Sequence, residues 1–198
     1  MSKRLKSKYS VCKKLNFVYK NIWGFEKKNF SRSLLINKRK KSSFFGKLLN
    51  IKQSLKFFYS NISESSFKNY ISFSTKSPAK TIDKLVSILE SRLDTSIFRS
   101  CFVSSFYEAR QLINHKFVFV NGECVTLVDK KLYAGDLVEI RIQKNLNKNF
   151  YNVLLTRSLP SNLELDFKNK VFIFLWDTDL KNVYYPIKVD YSAISRYY

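Results

Sequence analysis

The residues best placed to do chemistry in this chain are cations gathered around the start of a helix. Ser105-Phe106-Tyr107-Glu108 reads as a capping box, with serine at the N-cap and glutamate three residues on. A helix opened in this way presents free N–H groups and the positive end of its dipole, and phosphate binds at such ends. Arg92, Arg99, Arg110 and Lys116 flank that start and can supply charge-assisted contacts. Gln111, His115 and Arg141 extend the set with further donors. Such a constellation recognises a polyanion; it does not make or break bonds. Catalytic material is scarce, with one histidine in the chain and three cysteines, Cys12, Cys101 and Cys124, that lie far apart and never form a CxxC pair. That spacing argues against both a disulfide framework and a zinc site, and suits bland thiols in a reducing compartment. No cofactor and no metal is expected.

The charge balance points the same way. The 198 residues carry 36 lysines and arginines against 15 acids, a formal net charge of +21. Residues 1 to 80 hold 20 of the cations with only Glu26 and Glu64 to oppose them, whereas the remainder is nearly balanced. A folded domain gains nothing from that self-repulsion, so the charge implies a polyanionic partner. A membrane surface fits less well than nucleic acid, because the basic residues are spread over several segments with aromatics between them. The longest apolar run, Val171 to Trp176, falls far short of the ~18 residues of a membrane span, so no span is expected and the chain reads as soluble. Phe, Tyr, Lys, Asn, Ile and Ser are abundant while Ala, Gly and Pro are scarce, the bias of an A/T-rich genome such as an organelle's. The first 25 residues have the charge of a transit peptide, but lysine outnumbers arginine and the basic character runs on to Lys80, which favours an arm that stays on the protein.

The elements that must position these groups follow from periodicity. Residues 1 to 43 have none, and they close on Lys38-Arg39-Lys40-Lys41, either a solvated tail or an arm that orders on a phosphate backbone. Leu48, Ile51, Leu55, Phe58 and Ile62 recur every three or four residues, lining one helix face and leaving Lys47, Lys52 and Lys56 to project from the rest. A short helix with Phe67, Tyr70 and Ile71 follows, carrying Lys68 and ending at Ser77-Pro78. Thr81 is suited to cap a third helix with Ile82, Leu85, Leu89 and Leu93 buried, and helix continues through Ile97 and Phe98. In the helix capped by Ser105, Ala109, Leu112 and Ile113 face inward, so Arg110 is expected on the polar side, paired with Asn114, and Gln111 with His115. Strand residues then flank Asn121-Gly122, the strongest short hairpin signal, because a type I′ turn needs positive φ at both central positions. Gly135-Asp136 turns the chain into a third strand, Leu137 to Ile142. Beyond the polar connector 145–149, Leu163 to Phe167 alternates as a half-wet strand, Lys168-Asn169-Lys170 turns, and Val171 to Trp176 reads as a more buried strand. The fold class is α+β.

Arg92-Leu93-Asp94, Glu108 to Lys116, Val120-Asn121-Gly122 and Gly135-Asp136-Leu137-Val138 stand in one register over about fifty residues. This pattern closely resembles the small RNA-binding domain named after small-subunit ribosomal protein four, the S-four domain. Leu49 to Gln53, Phe57-Phe58-Tyr59, Phe67 to Tyr70, Leu159 to Asp166 and the terminal Tyr197-Tyr198 resemble the flanks of that ribosomal protein family, and the divergent residues 1 to 43 favour its mitochondrial type. The resemblance implies a basic arm (1–43), a helical domain (44–91), an RNA-binding domain of two helices on a short antiparallel sheet (92–143), and a β-rich C-terminal extension packing on the helical domain (144–198). It also implies a structural role in the small subunit of the mitochondrial ribosome, in the matrix and organelle-encoded. The partners would be small-subunit rRNA at a junction in its 5′ domain, neighbouring ribosomal proteins, and mRNA near its entrance.

Helical RNA hides its base edges in a narrow major groove, so contacts would follow backbone shape and junction geometry. For Arg92 an ion pair with Asp94 or Glu90 is the alternative to an RNA contact, and for His115 a hydrogen bond at the helix end. Where the family often has a basic residue after the cap serine, this chain has Phe106, so a phosphate contact is either missing there or replaced by stacking. Two other hosts carry the same domain: RNA-modifying enzymes such as pseudouridine synthases, and heat-shock-type proteins that rescue stalled ribosomal subunits. The first needs a further catalytic domain, and the helical resemblance before residue 92 speaks against the second.

Overall fold

The computed structural model describes residues 43–141, 159–186 and 190–198. They fall into two compact units: one holds the described residues up to Lys68 together with Tyr185–Tyr198, the other Asn69–Tyr184. The division between these units falls at residue 68, inside a helix.

The first unit is built on helix α1, Phe44–Phe58, whose N-cap Ser43 accepts a hydrogen bond from the Gly46 N–H at 3.2 Å. Its buried face is Leu48, Lys52, Leu55 and Phe58. Of the expected stripe Leu48, Leu55, Phe58 and Ile62 are buried, but Ile51 is only half-buried and Lys52, expected to project, is 5% exposed. A buried ammonium requires a partner. Glu64, the first residue of helix α2 (Glu64–Lys76), supplies it: Lys52 Nζ lies 2.8 Å from Oε1, while Lys56 Nζ lies 2.5 Å from Oε2. Lys52 Nζ also sits 3.8 Å from the ring centroid of Tyr197, and the Tyr198 hydroxyl donates to Glu64. Both tyrosines belong to the end of the chain, where the last helix (Tyr191–Tyr197) packs on α1 through Tyr191, Ala193 and Ile194. Helix α1 stops at a Schellman turn: Ser60 and Asn61 adopt φ of 60° and 57°, and the Asn61 N–H reaches the Lys56 carbonyl at 2.8 Å.

The second unit contains helices α3 (Thr81–Glu90), α4 (Leu93–Arg99) and α5 (Phe106–Asn114) and the strands β1 (Val118–Val120), β2 (Glu123–Cys124), β3 (Leu137–Ile140), β4 (Leu163–Asp166) and β5 (Val171–Phe174). Lys80 takes the N-cap position of α3 without a side-chain bond, so Thr81 is the first helical residue and not the cap. The strands form one antiparallel sheet in the order β2-β1-β3-β5-β4. Val118, Val120, Val138, Ile140, Leu163, Phe172 and Phe174 are buried on one face, the period-two pattern of a half-covered sheet. The expected C-terminal extension is divided: its strands continue this sheet, and its last helix belongs to the first unit. Strand β5 ends at Phe174, leaving Trp176, expected in a buried strand, 47% exposed.

The tip of the β1–β2 hairpin is a left-handed pair, Asn121 at φ 52° and Gly122 at 84°, as a type I′ turn requires. The Asn121 amide also donates to Asp136 at 2.9 Å and accepts from the Leu137 N–H at 2.9 Å. One side chain thereby ties the hairpin tip to the Gly135-Asp136 turn.

Two outcomes test this account. A Cβ at Gly122 would meet no atom within 4 Å, so Gly122→Ala should destabilise through backbone conformation alone, by about 1 to 2 kcal/mol in denaturant unfolding. A neutral effect would show that the turn is not held at positive φ. Acid titration tests the Glu64 network. Burial raises the Glu64 carboxyl, but hydrogen bonds from Lys52, Lys56 and Tyr198 outweigh it and bring the group from its ordinary 4.5 down to about 2. A carboxyl depressed in the folded state stabilises fully above its unfolded value and loses that contribution as pH falls from about 4.5 through 2. Over that range the melting temperature of the wild type should drop more steeply than that of Glu64→Gln; parallel curves would mean that Glu64 carries no such pairing in solution.

Candidate nucleic-acid interface

The described side chains expected to bind divide into two sets. The first is turned inward. Asp94, 1% exposed, accepts from Arg92 through both oxygens, Nε–Oδ1 and Nη2–Oδ2 at 3.0 Å each, and from Arg110 Nε at 3.0 Å. Arg92 Nη1 donates to the Tyr70 hydroxyl at 2.8 Å. Burial works against the charge on Arg92, but the Asp94 carboxylate more than offsets it and holds the guanidinium above its ordinary value. Arg99 makes an equivalent fork on Glu90, Nε–Oε2 at 2.9 Å and Nη2–Oε1 at 2.8 Å, and donates Nη1 to the Tyr184 carbonyl. Arg92, Arg99 and Arg110, expected to contact phosphate, are each paired with a buried acid, and for Arg92 this is the ion pair that the sequence offered as the alternative. Arg110 pairs with Asp94, not with Asn114, because the inward side of α5 faces the carboxylate at the start of α4. Lys52 and Lys56 join this inward set through Glu64.

The cap of α5 forms as the sequence implies, with Ser105 Oγ accepting from the Glu108 N–H at 3.3 Å. Glu108 closes the box on the neighbour, accepting from the Ser104 N–H and hydroxyl at 2.7 Å each. The positive end of the helix is therefore already met by the chain's own carboxylate. Phe106 does not face a ligand: it is fully buried and stacks on Phe98 with centroids 3.9 Å apart. The missing basic residue is a core side chain in this protein.

The second set is turned outward. Gln111, His115 and Lys116 are exposed along the far end of α5 and its exit, and Arg141 is exposed beyond β3. In the first unit Lys47 is exposed on α1, as is Lys68 on α2. Lys38, Arg39, Lys40 and Lys41 lie outside the described residues, as does Cys12; Cys101 is buried and Cys124 exposed. Asn121, Gly122, Gly135 and Asp136 take the structural turns already described. Among the described residues no group of three or more His, Cys, Asp or Glu side chains could hold a metal ion, and no helix is long and apolar enough to cross a membrane.

The S4 domain model matches residues 91–138, the stretch from the Arg92–Asp94 pair to the start of β3. Similarity extends well beyond it. The small ribosomal subunit protein uS4 of Rhodospirillum rubrum is 30% identical over 205 residues, covering 100% of this chain and 99% of its own length. The chain belongs to the uS4 family. The uS4 protein of Pelagibacter ubique is 32% identical over 207 residues with the same coverage. The uS4m protein of Reclinomonas americana is 36% identical over 159 residues, covering 76% of this chain and 64% of its own length.

In this uS4 chain the acids that the sequence offered only as alternative partners of Arg92 hold three arginines. Asp94 organises two arginines from different helical segments, and Glu90 anchors a third. Their proximity to Arg92 was the available signal; the reach of Arg110, sixteen positions away, had none. Asp94→Ala should leave buried guanidinium groups uncompensated and cost about 3 to 5 kcal/mol in equilibrium unfolding. Arg110→Ala, which leaves Asp94 paired with Arg92, should cost less, about 1 to 3 kcal/mol. A loss under 0.5 kcal/mol for Arg110→Ala, the usual surface range, would return Arg110 to the solvent-facing set.

Proposed function

We propose that this uS4 chain is a structural protein of the mitochondrial small ribosomal subunit that binds small-subunit rRNA through its outward cations. The observation that carries the reading is that relatives named as small ribosomal subunit protein uS4 match both structural units, not the S4 domain alone. The mitochondrial assignment rests on the likeness to uS4m and on the A/T-rich codon bias of the composition. The proposed site is a junction in the 5′ domain of the rRNA, engaged early in assembly, with neighbouring ribosomal proteins and the mRNA entrance close by in the finished subunit. An RNA-modifying enzyme carrying the same domain is not favoured.

Within this reading Gln111, His115, Lys116 and Arg141 contact the RNA backbone from the S4 domain, Lys47 and Lys68 from the helical unit, and Lys38-Arg39-Lys40-Lys41 from the arm. The inward arginines serve by holding the outward residues in place. Contacts to phosphate position the protein and carry little sequence information.

Salt dependence tests the arm directly. Each phosphate neutralised contributes ~0.7 to 0.9 to the slope of log affinity against log salt, so replacing Lys38, Arg39, Lys40 and Lys41 by glutamine should flatten the slope for a 5′-domain rRNA fragment by roughly 3 units. An unchanged slope would remove the arm from the interface. Stoichiometric recovery of the chain in purified mitochondrial small subunits is the expected outcome of the cellular test, and its recovery only with free rRNA-modification complexes would sink the ribosomal reading.

A further inference from the structure

The exit of α5 builds a surface that backbone phosphate contacts do not account for. The helix ends in a Schellman turn: the Lys116 N–H reaches the Ile113 carbonyl at 3.0 Å and the Phe117 N–H the Leu112 carbonyl at 3.1 Å. Lys116 occupies the left-handed position, at φ 64°, where glycine is the usual residue. This turn leaves the His115 and Phe117 rings parallel to within 3°, centroids 6.4 Å apart, both side chains exposed.

Strand β1 continues the surface. Val118 and Val120 are buried in the core, and strand alternation therefore puts Phe117 and Phe119 together on the opposite face of the sheet. Arg141 stands across from Phe117, its N–H on the Phe117 carbonyl at 2.9 Å, and its guanidinium carbon lies 3.9 Å from the Phe119 ring centroid. Glu139 holds that guanidinium through Nε at 3.0 Å and Nη2 at 2.8 Å. An open groove of about 530 Å³ begins beside Arg141 and runs along Lys168, Asn169 and Lys170 of the β4–β5 turn.

We infer that this face is a stacking platform for unpaired RNA bases, with the cations around it holding the flanking phosphates. The inference rests on the proposed RNA-binding function and adds the class of RNA that this face takes. A large aromatic ring 42% exposed next to a histidine, a lysine and an arginine offers π-faces and a guanidinium plane, the groups on which splayed-out bases stack. A paired duplex keeps its base faces internal and gives such rings nothing to hold. A protein partner is the poorer fit, because the nearby acids are engaged within the chain: Glu139 with Arg141, and Asp166 with the N–H groups of Lys168 and Asn169. With Arg141 paired to Glu139, the rim keeps its cationic excess through Lys116, Lys168 and Lys170.

The experiment compares two RNA hairpins, one blunt and one carrying a short single-stranded tail with 2-aminopurine, against the full chain. The wild type should bind the tailed hairpin roughly tenfold more tightly, with quenching of the 2-aminopurine as it stacks. Phe117→Leu combined with Phe119→Leu should abolish both the preference and the quenching while leaving the blunt hairpin bound within twofold; the corresponding tyrosine substitutions should retain them. Cys124, exposed and paired across from Phe119 in the ladder, supplies a readout without mutation of the platform: the tailed hairpin should slow its alkylation and the blunt one should not. A tail preference that survives the double leucine variant overturns the platform. So does a loss of both hairpins in parallel, which would make the rings structural, or a wild type that binds both hairpins equally. Failure to bind either hairpin would instead count against the proposed function itself.

Discussion

The second unit depends on one carboxylate with almost no access to water. Asp94 is buried with two guanidinium groups on it, and an ionised acid so placed is tolerable only while those bonds are made. Its own backbone is pinned as well, with the Asp94 N–H on the Val128 carbonyl and the Leu93 N–H on the Lys130 carbonyl. The start of α4, the middle of α5 and the loop after the hairpin therefore share one fixed point. Because Arg110 is turned inward to reach it, the face of α5 that carries Gln111, His115 and Lys116 is turned out. The geometry of the exposed cations follows from the geometry of the buried ones.

This division of labour changes what the high net charge means. Arg92 and Arg99 are forked onto internal acids, Arg110 donates to Asp94, and Lys52 and Lys56 converge on Glu64, so these cations contribute to folding before they contribute to any interface. The cations left exposed in the described residues are a smaller set of lysines and arginines accompanied by aromatic rings. That composition suits an interface combining phosphate contacts with stacking.

The route of the chain has a physical rationale too. Strands β1 to β3 alone are two to four residues long, a sheet too small to stand by itself with β3 as an open edge. Strand β5 covers that edge and β4 extends it, which buries Phe172 and Phe174. The last helix then serves the first unit, where its terminal tyrosines complete the pocket around Lys52.

What the sequence determined by itself is what depends on near neighbours. The Ser105 cap, the left-handed pair at Asn121 and Gly122, the buried Leu48, Leu55 and Phe58 and the two later strands all arise from constraints spanning a few residues. The fifty-residue pattern from Arg92 onward was legible for the same reason: each of its motifs is local, and their order identifies the domain. Which cations are buried against an acid was settled by the tertiary structure. Whether Arg110 or Lys52 faces water depends on an acid brought up from another segment, and charge carries no periodicity that reveals its partner. The same holds for Phe106, which reads as a missing surface contact until Phe98 is seen against its ring. Sequence spacing specifies which face of an element a residue occupies, but the burial of a charge is set by what folds over that face, and this is a property of the whole unit.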